Sequence, residues 1–85
     1  MRMQAETRRA MIVSAIVRMA VDKGLAGVTH GGVVKYCVIR TSKSSLRKYF
    51  PTQKDLWEAA HDYDPVGFKE QAIELGLISG VGDAK

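Results

Sequence analysis

Apolar residues in this chain fall into short stripes with helical spacing, separated by polar breaks. From Ala5 to Lys23, Ile12, Ile16, Met19 and Ala20 recur at i, i+4, i+7 and i+8, and Val13, Val17 and Val21 widen that stripe. Ser14, Arg18 and Asp22 repeat every fourth residue on the opposite face, which is expected to be solvated. Lys23 suits the dipole of the last turn, and Gly24 is placed to end the helix in the left-handed conformation. Residues 25–28 form a connector, and Thr29 is the expected N-cap of a second helix over residues 30–38. Its buried side would hold Val33, Val34, Cys37 and Val38. The β-branched content there also admits a strand. A short, capped segment between helices favours helix, although Gly31 and Gly32 each cost up to about 1 kcal/mol relative to Ala in a helix interior.

Residues 41–56, TSKSSLRKYFPTQKDL, carry the densest local signals. Ser42 is an N-cap for a short helix over residues 43–50. Leu46 and Phe50 are four apart and face inward, with Tyr49 beside them. Lys43 and Arg47 share another face, and Ser44 and Lys48 lie next to it. Pro51 cannot continue the helix, and Thr52 with Asp55 caps a fourth, over Gln53–Tyr63. Leu56, Ala60 and Tyr63 make its apolar stripe, with Trp57 alongside. Asp64 and Pro65 break the pattern. Phe68, Ala72 and Leu75 then predict a short fifth helix over residues 66–75, ended by Gly76. Residues 1–4 are expected to fray and 77–85 to be loose. The expected fold is all-α, a single domain over 1–85. Its core is 5–50, followed by the fourth helix at 53–63 and a C-terminal helix and tail at 66–85.

Composition changes this picture mainly through charge. The 85 residues are 46% hydrophobic, enough for one small core, with a net charge of +4. Residues 1–54 hold 11 Lys and Arg against Glu6 and Asp22, while residues 55–85 hold two Lys against seven acids. No acid occurs between Lys23 and Lys54. The basic part is therefore suited to a polyanion and the acidic part to exclusion from it. A short helix with an apolar underside and a face of Lys, Arg and Ser has the form of a helix that reads the DNA major groove. Arg8 and Arg9 sit in a first turn, where cations are mildly unfavourable, which suggests another task such as holding phosphates.

Three helices with a turn between the second and third make a helix-turn-helix layout, of the kind shared with homeodomains. Residues from about 9 to 60 resemble the N-terminal DNA-binding domain of the tetracycline-repressor (TetR) family. The resemblance rests on the connector Gly24-Leu25-Ala26-Gly27-Val28-Thr29 and, more specifically, on Tyr49-Phe50-Pro51-Thr52-Gln53-Lys54-Asp55-Leu56. It implies that Lys43, Ser44 and Ser45 meet base edges and backbone; Lys48, read from the basic helix face and not from the family, joins the expected DNA-binding surface. The resemblance further implies that Thr29, Tyr49 and Lys54 reach phosphates. Arg47 stands where the family usually has tyrosine, which raises the electrostatic share of binding or allows bidentate reading of guanine. The turn over residues 38–41 is about two residues longer than usual. Family members continue into a large helical domain that binds a small ligand and dimerises. The short segment after the fourth helix cannot enclose such a pocket, so no small-molecule ligand is expected.

The expected function is a small sequence-specific transcriptional regulator of phage or mobile-element type, acting on double-stranded DNA with residues 43–50 in the major groove. A homodimer through helices four and five would read two half-sites. The alternative is a protein-interaction module that binds a larger regulator through Phe68, Ile73, Leu75 and the acidic tail. Enzyme chemistry has little basis: two histidines, His30 and His61, and one cysteine, Cys37, give no metal-ligand spacing. His30 and His61 are expected to be solvated or capping, and Cys37 and Trp57 to belong to the core. No cofactor is expected. No secretory signal or membrane-length apolar run is present, so the expected location is the cytoplasm.

Overall fold

The computed structural model describes residues 5–78, and every regular element among them is helical. The elements are α1 (Ala5–Lys23), a single 3₁₀ turn (Leu25–Gly27), α2 (His30–Tyr36), α3 (Lys43–Tyr49), α4 (Gln53–Tyr63) and α5 (Lys69–Glu74). The expectations of a frayed start over 1–4 and a loose end over 79–85 lie outside the described residues. Among the described residues, no helix is long and apolar enough to cross a membrane.

α1 is the central element, because its apolar stripe is broad enough to serve two neighbours. Ile12, Ala15 and Ile16 are fully buried, with Met19 and Ala20 nearly so, and α1 packs on both α2 and α4. Val33 of α2, Leu46 of α3 and Leu56 and Ala60 of α4 complete the centre at 0% exposure. The 3₁₀ turn plugs one end: Leu25 and Val28 are buried beneath α1, α4 and α5. α3 leans mainly on α2 and lies at the edge of the bundle.

Local chemistry sets the helix ends. Thr29, Ser42 and Thr52 each accept a hydrogen bond from the backbone N–H three residues on, the expected N-caps. Asp55 answers by accepting from the Thr52 N–H at 2.9 Å, which closes a capping box. Gly24 ends α1 at φ 85°, as its position predicted, but its ψ of 152° carries the chain outward instead of curling it left-handed. Gly76, at φ 80°, closes α5 in a Schellman arrangement: its N–H donates to Ile73 and the Leu77 N–H to Ala72. Leu77 is thereby packed on the core instead of belonging to a loose tail.

Several expected orientations differ. α2 stops at Tyr36, and Cys37 is already extended, so Val38 leaves the helical face and is 69% exposed. Tyr63, the last residue of α4, lies beside Arg9 and Val13 of α1 but on the surface, 66% exposed; Ala59 takes its place in the core. Val21 is also exposed. α5 begins at Lys69, after a turn in which Asp64 accepts from the Gly67 N–H and Val66 faces solvent. Arg18 and Asp22 are not merely solvated. The Arg18 guanidinium donates to the Tyr36 carbonyl at 3.1 Å, and the Tyr36 hydroxyl donates to Asp22, so both clasp the end of α2.

Candidate nucleic-acid interface

α3 is bound to the bundle along one edge only. Leu46 is its one fully buried residue, joined by Phe50 just beyond its end. Lys43, Ser44, Arg47 and Lys48 are all exposed. With 3.6 residues per turn, Ser44 and Lys48 lie opposite the Leu46–Phe50 edge and lead outward. Lys43 and Arg47 lie to one side and Ser45 and Tyr49 to the other. Ser45 is half-buried and engaged in the cap: its N–H donates to the Ser42 hydroxyl, which lies 3.3 Å from its own Oγ. Tyr49 is half-buried, with its ring tilted 37° to that of Phe50 at 6.5 Å.

Lys43 and Arg47 do not stand alone. With Thr29, His30 and Gly31 from the start of α2 and Gln53 from the start of α4, they line one open concavity of about 370 Å³. None of these six residues is acidic. Two long-range hydrogen bonds hold its walls together. The Gln53 side-chain amide donates to the Val28 carbonyl at 2.8 Å. His30 Nε2 lies 2.6 Å from the Phe50 carbonyl, and because a carbonyl only accepts, Nε2 carries the proton.

Of the sequence-derived site residues, Thr29, Lys43 and Arg47 thus share one hollow, and Ser44 and Lys48 share the outer edge. Lys54 is exposed in the first turn of α4 but is not part of the hollow's lining. His30, Gly31 and Gln53 were not anticipated. Only the unusual glycine pair hinted that the start of α2 is special. His30 is half-buried, and its ring bonds the carbonyl of Phe50, the C-cap residue of α3, so it struts α2 to α3. Arg9, expected with Arg8 to have a task such as holding phosphates, has its guanidinium 5.1 Å over the Phe50 ring, a cation–π contact.

Other chemistry is sparse. Burial pushes the half-buried Cys37 thiol up from its ordinary pKa, with Arg18 acting weakly against this, so the thiolate is disfavoured. Among the described residues, no three His, Cys, Asp or Glu side chains gather into a metal-ligating group. Phe68, named as a docking residue in the alternative function, is 4% exposed and belongs to the core. Comparison of the chain with protein-family models, curated proteins and solved structures found no match.

Proposed function

We propose that this protein is a DNA-binding transcriptional regulator, in which α2 and α3 act as a helix-turn-helix and α3 enters the major groove. The observation that carries this is the one-edged attachment of α3. The helix is anchored by Leu46 and Phe50 and offers Lys43, Ser44, Arg47 and Lys48 to solvent, within a segment free of acids. A bare α-helix fits the ~12 Å major groove, and exposed cations beside it match two rows of phosphates. The likeness to the tetracycline-repressor family in the Tyr49–Leu56 block supports the same conclusion. Six residues separate α2 from α3, more than the three or four of a tight helix-turn-helix.

In this proposal Ser44 and Lys48 face base edges, while Thr29, Lys43, Arg47, Tyr49 and Lys54 hold the backbone from either side. A single module of this size buries only about 600–1,000 Å² on DNA, so a symmetric pair on two half-sites would bind far better. Selection of bound duplexes from a random pool, at two salt concentrations, tests the proposal. It predicts enrichment of a short motif, single or in repeated copies. A pool that remains random, with no retained DNA at low salt, would count against it.

A second function, docking to a partner protein, draws on one observation. Tyr63 and Val66 are 66% and 86% exposed at the α4–α5 junction, beside the acidic residues Asp62 and Asp64.

A further inference from the structure

The concavity between α2, α3 and α4 contains a glycine that the fold does not require. Gly24 and Gly76 adopt positive φ, which L side chains avoid. A Cβ on Gly32 would run into the Met19 side chain, and one on Gly67 into the Asp64 carboxylate. A Cβ on Gly27 would press on the Lys23 Cβ at 3.2 Å. Gly31 is different. It lies inside a helix at negative φ, and the nearest atom to a Cβ there is the Lys43 Cδ, at an ordinary 3.6 Å. Alanine would fit and would favour the helix. The space left bare at Gly31 opens into the hollow that Lys43 and Arg47 flank and Thr29 borders.

We infer that this hollow is a seat for one backbone phosphodiester of a DNA duplex, with Gly31 providing clearance and Arg47 clamping the phosphate. The inference rests on the duplex-binding proposal and sharpens it. Lys43 and Arg47 are one turn apart on the same face and converge on the hollow, so two cations meet a single anionic group. The Thr29 oxygen already accepts from the Gly32 N–H at 3.1 Å, which leaves its hydroxyl proton free to donate into the hollow. The Gln53 and His30 bonds fix the walls, so the seat exists before DNA arrives. Arg47 is consequently a backbone contact and not a reader of guanine. Base reading falls to the outward pair, Ser44 and Lys48.

The test measures fluorescence anisotropy of labelled 30-base-pair duplexes, several of unrelated sequence, with the full chain and its Gly31→Ala and Arg47→Gln variants. Thermal melts of each protein run in parallel. Gly31→Ala is expected to melt at or above the unaltered protein's temperature yet bind every duplex about tenfold more weakly, the equivalent of one charge-assisted contact. Arg47→Gln is expected to weaken all duplexes by a similar factor. It should also flatten the slope of log affinity against log salt by about 0.9. Should the unaltered protein bind duplexes while Gly31→Ala binds equally well, the seat is wrong and the duplex proposal stands. An Arg47→Gln variant that loses preference at one base position with its salt slope unchanged overturns the clamp. If the unaltered protein binds no duplex, the underlying proposal fails, and the seat with it.

Discussion

One imidazole joins the first residue of α2 to the residue that ends α3: His30 Nε2 donates to the Phe50 carbonyl, 2.6 Å away. Phe50 is also the anchor beneath α3, so the bond fixes α3 against α2. Replacing His30 with Phe keeps a ring but strands a half-buried acceptor. The expected loss is about 1–2 kcal/mol of unfolding free energy, measured in urea. Duplex affinity should fall as well, and equally for all sequences, because the helix loses its fixed angle without losing any base contact.

Arg9 covers the ring of the same phenylalanine, with its guanidinium 5.1 Å from the ring centroid. Arg9→Met should lower stability by about 0.5–1 kcal/mol, the usual range for an exposed cation–π pair. The slope of duplex affinity against salt should not change, since this cation is engaged with the protein. A slope flattened by about 0.9 would instead place Arg9 on a phosphate.

The two glycines of α2 should answer differently to the same change. Gly32→Ala gains helix propensity but forces a methyl group into Met19, which is only 6% exposed. Overpacking of this kind costs about 1–3 kcal/mol, which exceeds the propensity gain of up to about 1 kcal/mol. A net loss is therefore expected in denaturant melts. Shortening the neighbour, in a Met19→Ala, Gly32→Ala pair, should cost less than the two single changes added together, because the methyl then fills the space vacated.

The clasp between α1 and α2 should respond to alkali. The hydrogen bond to Asp22 is the main cause that raises the Tyr36 pKa above its ordinary 10.0, with desolvation and the Asp22 charge adding to it. The folded state therefore holds this proton more tightly than the unfolded chain does. Its contribution is fully present below about pH 10 and is lost as pH rises through the higher folded value. Melts from pH 8 to 11 should show an alkaline loss of stability that is smaller in Tyr36→Phe. Equal losses in both proteins would contradict the linkage.

What was legible in the sequence was local. The extents of α1 and α4 followed from apolar spacing, and the caps at Thr29, Ser42 and Thr52 from short-range side-chain chemistry. Element ends were harder. Val38 and Tyr63 continue an apolar period but stay on the surface, Val38 because α2 has already ended and Tyr63 although α1 lies beside it, and only packing decides this. Within the candidate site, Lys43 and Arg47 were identifiable by residue type, and Thr29 only through the resemblance to a known family. That they border one hollow depends on how α2 meets α3 and α4. The contacts that set this meeting, His30 to Phe50 and Gln53 to Val28, span 20 and 25 residues and leave no periodic trace.

The central claim is that exposed cations on and around α3 grip a duplex, and a salt titration addresses it most directly. The measurement is anisotropy of a labelled 30-base-pair duplex against the full chain, repeated from low to physiological ionic strength. The predicted result is binding at low salt whose logarithm falls linearly with log salt, by about 0.9 for each phosphate neutralised. No binding to any duplex at low salt, or an affinity that salt does not change, would contradict it.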